Sequence, residues 1–219
     1  MAVRSENWSV IILGRWNRSI LTPERIGKRI FGLEDPQNVD IMVPLDGVSP
    51  YLVKHPQKGI IVSTEGTRLQ VQPEKPDYDS LRLAMEAGVE ALKWLPETPV
   101  TAAGVNVNFR AGETTADFAR FLQSTVDGEL AKLERTIIGR SVSRSVRFEE
   151  GRLNIGFAQE GDEFRLNCNF HRDSSNLDQL KQWLCTPVSE IERTVNGLLV
   201  AFDLEVEEHA DVAHREPSA

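Results

Sequence analysis

The chain has 219 residues, 40% of them hydrophobic, which is enough to bury a substantial core in one domain over residues 1–204. Its formal net charge of -8 at pH 7 disfavours phosphate backbones and anionic membranes as partners, because both repel an acidic protein. Two cysteines, Cys168 and Cys185, are too few for a disulfide framework. The apolar run at 10–13 is too short for a signal peptide or a membrane span, so we expect a cytoplasmic protein without a membrane partner.

The first half of the chain alternates strand and helix signals. Apolar residues on both faces of the segment 8–16 predict a central strand. Thr22 can cap a helix that begins at Pro23, and Asp77 can cap a long amphipathic helix, because their side-chain oxygens accept free backbone N–H groups. Residues 65–66 (EG) have the chemistry of a hairpin turn. The predicted elements are a strand at 8–16, a helix ending near 31–32, strands at 39–45, 50–54, 59–64 and 67–72, and a helix at 78–94.

The clearest interruption of the chain is the segment LPETP at residues 95–99. The alternation of apolar and polar residues at 100–110 then predicts a strand. Thr114 and Asp117 resemble a capping box, in which two side chains satisfy the free N–H groups of a helix start. We therefore expect one helix that continues to about residue 134.

Three strands and a helical region follow in the second half. Ser175 with Asp178 is expected to cap the helical region, and Pro187 is expected to interrupt it, because proline lacks the N–H that a helix interior needs. From residue 205 onward the chain is polar and aperiodic, which predicts a flexible acidic tail at 205–219. The predicted strands lie at 136–148, 152–159 and 163–171.

The two halves present the same order of elements. Residues 8–95 and residues 100–204 each contain a strand, a helix, several strands and a long helix, although their residues are not similar. The sequence therefore predicts an α+β domain with an antiparallel sheet and helices packed on one face. Two pseudo-repeated units, or a common layout that recurs by chance, would both give this order. The layout resembles the TATA-binding-protein and helix-grip folds, which implies a fold and no activity.

No catalytic, cofactor or metal motif is present in the sequence. The fragment His171-Arg172-Asp173 resembles part of the protein-kinase catalytic loop, but Asn176 follows the aspartate too closely and the other kinase motifs are absent. Cys168 lies three residues from His171 in a predicted strand, so the two point to opposite faces and cannot form a nucleophile–base pair. We expect no cofactor and no metal, and the sequence favours a protein that is not an enzyme.

The most unusual feature is a polar register shared by three predicted strands of the second half. Asparagine is rare in strands, yet it recurs here at alternate positions with arginine and histidine. If the strands pair with this face in common, its amides and guanidinium groups could bind backbone amides, carboxylates or phosphates. A solvated sheet face is the alternative interpretation. The candidate binding residues are Asn106, Asn108, Arg110, Arg152, Asn154, Arg165, Asn167, Asn169 and His171.

The strand predicted at 136–148 combines serines and arginines and has the character of a basic sheet edge. Charged residues at an edge also prevent unwanted strand pairing, and we favour that interpretation. The residues concerned are Arg140, Ser141, Ser143, Arg144, Ser145 and Arg147.

These observations together favour a protein-interaction or assembly module that binds a protein partner, or associates with itself, through the polar sheet face or a sheet edge. A chaperone-like role is one form of this hypothesis, by analogy with acidic α+β export chaperones of the SecB type. An enzyme or small-molecule binder with a cavity between sheet and helices is the first alternative. A weak nucleic-acid binder is the second, and it is disfavoured because the chain is acidic and stacking aromatic residues are missing from the polar register.

Overall fold

The computed structural model describes residues 1–35, 38–46, 49–112 and 115–207, in which eleven strands join one sheet. The strands are β1 (Ala2–Ser5), β2 (Ser9–Gly14), β3 (Asp40–Met42), β4 (Leu52–Lys54), β5 (Ile60–Thr64), β6 (Arg68–Pro73), β7 (Val100–Ala111), β8 (Gly139–Phe148), β9 (Gly151–Glu160), β10 (Glu163–Asp173) and β11 (Glu205–Val206). The helices are α1 (Pro23–Arg29), α2 (Tyr78–Trp94), α3 (Ala116–Phe121), α4 (Thr125–Lys132), α5 (Leu177–Leu184) and α6 (Val188–Ala201).

The main path of the sheet runs β3-β4-β5-β6-β2-β7-β10-β9-β8, and all neighbours along it are antiparallel. Off this path, β1 pairs antiparallel with β7 and parallel with β11. The helices pack on one face, which we call the inner face, and the opposite face is the outer face. The predicted α+β class, with an antiparallel sheet and helices on one side, is confirmed.

The strand order is the same in the two halves of the chain. In each half the first strand pairs with the last strand of that half, β2 with β6 and β7 with β10, and the remaining strands follow outward. The two first strands, β2 and β7, pair antiparallel at the centre of the sheet. Each half therefore starts at the centre of the sheet and extends outward, with five strands in the first half and four in the second, which is the order of elements that the sequence predicts.

The core lies between the inner face and the helices, because the apolar positions of the alternating strands all point there. Phe164, Leu166 and Phe170 of β10 are almost fully buried, and each such side chain contributes about 1.5–3 kcal/mol through burial. Helix α2 lies close to β2 at Gly88, where a Cβ atom would be only 3.3 Å from Val10. A larger residue at this position would push the helix away from the sheet.

Helices α1 and α2 begin where the sequence predicts. The Thr22 hydroxyl accepts from the backbone N–H of Arg25, with Pro23 as the first helical residue. The Asp77 carboxylate accepts from the N–H of Ser80 at 2.7 Å. Both caps satisfy N–H groups that have no partner within the helix.

Two helix predictions of the second half are wrong in detail. The single helix expected up to residue 134 is two helices, α3 and α4, because residues 122–124 leave the helical path and Ser124 starts a new one. The Thr115 hydroxyl caps α3; Thr114 and the side chain of Asp117, which were expected to do so, lie outside the described part. Helix α5 is capped by Asn176 instead of Ser175, since the Asn176 amide oxygen reaches two backbone N–H groups. The break at Pro187 is confirmed, with α6 following directly.

The beginning of the predicted tail belongs to the sheet. Glu205–Val206 forms β11 beside β1, and the Glu207 N–H donates to the carbonyl of Val3 at 2.8 Å. The amino group of Met1 donates to the carbonyl of Asp203, which closes the same corner. Residues 208–219 lie outside the described residues.

Candidate binding surface

All nine residues of the predicted polar register lie on the outer face, on the adjacent strands β7, β10 and β9. Residues that are directly opposite in an antiparallel ladder share one face, so the register alone brings them together. The cross-strand pairs are Asn106 with Asn169, Asn108 with Asn167, Arg110 with Arg165, Asn154 with Asn169, and Arg152 with His171. The geometric part of the prediction, that these side chains form one platform, therefore holds for every member.

Three of the asparagines form the centre of a hydrogen-bonded row that crosses five strands, which we call the amide ladder. The hydroxyl of Ser145 donates to Asn154 at 2.7 Å, and the Asn154 amide donates to Asn169 at 2.9 Å. The Asn169 amide donates to Asn106 at 2.7 Å, and the Asn106 amide donates to the hydroxyl of Ser9 at 3.1 Å. Each asparagine is therefore an acceptor towards β8 and a donor towards β2.

The amide ladder satisfies only half of the hydrogen-bonding capacity of its amides. A primary amide has two N–H donors and two lone pairs on oxygen, and each asparagine uses one of each within the ladder. The three amides are half-buried, so the remaining groups are open on the solvent side. Ser9 was not among the predicted residues, since its position in β2 becomes significant only when β2 is known to lie beside β7.

The second asparagine pair differs from the ladder. The Asn108 amide donates to the carbonyl of Asn7 at 3.0 Å, which ties the segment between β1 and β2 to β7. Asn167 is exposed, and its side chain has no hydrogen bond within the described part of the chain. The side chain of Asn108 is thus held by the protein, whereas the side-chain amide of Asn167 is available to a ligand.

At one end of the platform, Arg110 lies directly opposite Arg165. Two like charges at this spacing repel each other, and Glu163 offsets the repulsion by accepting hydrogen bonds from both guanidinium groups. The hydrogen bond from Arg110, followed by that from Arg165, lowers the pKa of Glu163. A carboxylate oxygen of Glu6 lies 3.6 Å from a guanidinium nitrogen of Arg110 and further offsets the positive charge there.

At the other end, Asp173 bridges His171 and Arg152. Its two oxygens lie 2.8 Å from Nε2 of His171 and 2.7 Å from Arg152. The hydrogen bond with His171, together with the charge of Arg152, lowers the pKa of Asp173. Every arginine of the predicted set therefore has a carboxylate partner on this face.

A groove of about 230 Å³ lies on the outer face where β2 meets β7. Its floor is apolar and includes Ile11, Ala102 and Gly104, and its rim includes Arg68 and His171. Gly104 keeps the groove open, because a Cβ atom there would be 3.1 Å from the Asn169 amide nitrogen. The groove has room for a small apolar side chain beside the amide ladder.

The expected separation of Cys168 from His171 is confirmed. Cys168 is fully buried on the inner face, and burial raises the pKa of its thiol to about 12. A cavity of about 590 Å³ lies beside α5 and is lined by Arg172, Trp183 and Cys185 among others. In the described ranges, no group of three or more His, Cys, Asp or Glu side chains could hold a metal ion.

Comparison with known proteins leaves the family open. No protein-family model matches the chain, and no curated protein matches it either. Among solved structures the chain is similar to Methanococcus jannaschii TBP, with 8% sequence identity, coverage of 93% of this chain and 99% of that chain, and a TM-score of 0.28. A likeness this distant carries no conclusion about function.

Within residues 1–35, 38–46, 49–112 and 115–207, no helix combines the length and apolar character needed to cross a membrane.

Proposed function

We propose that the protein is a cytoplasmic, non-enzymatic interaction module whose outer face docks a protein partner. The amide ladder is the observation that carries this proposal. It presents a row of preorganised donors and acceptors, and peptide groups of a partner need both kinds of group at once. The neighbouring groove adds a place for an apolar side chain, which gives the face the mixed character of a protein interface.

The charge pattern favours a protein partner over nucleic acid. A nucleic-acid site needs uncompensated cations to replace the counterions of the phosphates. Here Arg110 and Arg165 share Glu163, and Arg152 pairs with Asp173. No aromatic residue occurs on the outer face of β7, β9 or β10 that could stack on a base.

The enzyme alternative has less support. Catalysis in a cavity between sheet and helices requires enclosed space with convergent titratable groups. The inner face is instead lined by buried apolar residues such as Val107, Leu166 and Phe170. The two carboxylates that contact the platform within these strands are both engaged, Asp173 with His171 and Arg152, and Glu163 with the two arginines at the other end.

Self-association through a sheet edge is a second candidate, and one observation favours it. Strand β3 ends the main path of the sheet, and Ile41, Met42 and Val43 are 50%, 42% and 70% exposed there. The strand is short and Pro44 follows it closely, so contact with a second copy would depend on these apolar side chains. Size-exclusion chromatography with light scattering tests self-association. A dimer that dissociates into monomers in the Val43→Asp variant supports self-association, whereas a strict monomer at high concentration excludes it.

The test of the docking face uses Asn167, because its side chain is exposed and makes no hydrogen bond within the described residues. Asn167→Lys should block the platform without disturbing the fold. Asn196→Lys introduces the same change on the exposed side of α6 and is the matched control. We expect the wild type and Asn196→Lys to retain the same proteins from a host lysate. Asn167→Lys should fail to retain them. An identical set of retained proteins for all three chains would refute the docking face.

A further inference from the structure

Strand β8 ends the sheet opposite β3 and has an open edge. Its ten residues, Gly139–Phe148, pair with β9 in continuous register. No other strand of the described chain pairs with it. The backbone N–H and C=O groups on its far side therefore lack a strand partner, and such a row is a template for another strand.

Most of the devices that protect sheet edges are missing from β8. Natural edge strands are shortened, bulged or interrupted by proline. Strand β3 at the other end follows this pattern, since it has three residues and Pro44 follows closely. Strand β8 is long, contains no proline and shows no register shift. Among the described residues, charge is the protection that remains for this edge.

The charge of β8 has a single sign. The strand carries Arg140, Arg144 and Arg147 and no carboxylate, in a chain whose net charge is -8. Arg140 is paired with Asp127 at 2.6 Å. No described carboxylate forms an ion pair with Arg144 or Arg147. Two copies of β8 would place arginines against arginines, so the edge rejects itself and attracts a strand of opposite charge.

Apolar contacts are available along the same edge. Val146 is 45% exposed on the inner side of β8, beyond the cover of the helices, and Val142 is half-buried on the same side. At the start of the strand, Ile138 is 82% exposed and lines a cavity of about 340 Å³ together with Ile137 and Gly139. These positions would anchor alternate side chains of an added strand.

We propose that β8 accepts an extended acidic segment of a partner protein as an additional strand of the sheet. The backbone of the segment would pair with the open edge, carboxylates on its outer side would bind Arg147, and apolar residues on its inner side would cover Val142 and Val146, with Arg144 between those two valines adding positive charge to the edge. This inference deepens the sheet-edge form of the proposed function and does not depend on the outer face. The arginines then have two effects, since they prevent self-pairing and select the charge of the partner.

Fluorescence anisotropy with three labelled decapeptides tests the proposal. The probe alternates glutamate and valine. One control alternates lysine and valine, and the other alternates glutamate and proline, which keeps the charge but removes strand formation and every second N–H. We expect the glutamate–valine peptide to bind at least ~10-fold more tightly than either control, because only it supplies both backbone pairing and opposite charge.

Variants locate the binding to β8. Arg144→Glu with Arg147→Glu should weaken binding of the glutamate–valine peptide at least ~10-fold, because attraction becomes repulsion. Arg25→Glu with Arg193→Glu changes the net charge equally on exposed helix positions of α1 and α6 and should retain binding. Unchanged melting temperatures show that each variant is folded.

Four results would overturn the proposal. Equal binding of the glutamate–proline peptide would show attraction by charge alone. Equal binding by the β8 variant would place the peptide elsewhere, and loss with Asn167→Lys would place it on the outer face. Tighter binding of a single-stranded decanucleotide, lost in the same β8 variant, would make the edge a nucleic-acid site. Because Asn167→Lys leaves β8 untouched, failure of the edge and failure of the docking face are distinguishable.

Discussion

Replacement of Asn169 by alanine isolates the contribution of the amide ladder. Asn169 is its central residue, and it donates to Asn106 at 2.7 Å and accepts from Asn154 at 2.9 Å. Asn169→Ala removes both hydrogen bonds and leaves one acceptor and one donor without their partners. The backbone pairing of β10 with β7 and β9 does not depend on the side chain and should persist.

The expected loss follows from the number of bonds and their exposure. A net 0.5–1.5 kcal/mol for each hydrogen bond gives about 1–3 kcal/mol for the two. Because Asn106 and Asn154 are half-buried, water can replace part of what is lost, and we expect about 1–2 kcal/mol. For a chain of this length that corresponds to a fall in melting temperature of about 2–8 °C.

Urea unfolding followed by circular dichroism measures the effect, and Asn167→Ala is the matched control. Asn167 is on the same strand and the same face but makes no hydrogen bond within the described residues, so its replacement should change the free energy of unfolding by less than about 0.5 kcal/mol. A double-mutant cycle of Asn169→Ala with Asn106→Ala should show a positive coupling energy. Equal effects of the Asn169 and Asn167 substitutions, or no coupling, would mean that the ladder is only a solvated surface.

Three further predictions concern stability and reactivity. Burial lowers the pKa of His55, whose Nδ1 accepts two backbone N–H groups, so the unfolded state binds more protons and the free energy of unfolding should fall as the pH drops below about 6.5. His55→Gln should reduce that fall in urea titrations, and an unchanged pH dependence would contradict the assignment. Gly151→Ala places a Cβ atom against a β10 carbonyl and should cost about 1–3 kcal/mol, whereas Gly156→Ala meets only atoms 3.9 Å away and should be tolerated; equal thermal stability of the two variants would refute this. A thiol reagent should label exposed Cys185 and spare buried Cys168 in the native protein, and native labelling of both would show that the core opens.

The platform could be predicted because strand periodicity is a local property of the sequence. Alternate residues of a strand point to opposite faces, so Val105, Val107 and Phe109 identify the inner side of β7 and the asparagines between them identify the outer side. Helix α2 was also predictable over its full length, since Asp77 and the apolar spacing lie within one short window.

The amide ladder itself could not be predicted, because it depends on strand order. Its five residues come from β8, β9, β10, β7 and β2, and β7 lies next to β10 although two strands separate them in sequence. Nothing local in the sequence relates Ser9 to Asn106, which are 97 residues apart. The break between α3 and α4 was missed for a different reason, since Ser124 is compatible both with a helix interior and with a new start.

The direction of the bonds in the amide ladder makes its orientation a collective property. Each asparagine accepts on its β8 side and donates on its β2 side. If one amide rotated alone, it would turn its nitrogen towards one neighbour's donor and its oxygen towards the other neighbour's acceptor. Inversion therefore requires all three amides to turn together, with the hydroxyls of Ser9 and Ser145 exchanging their roles at the ends of the row.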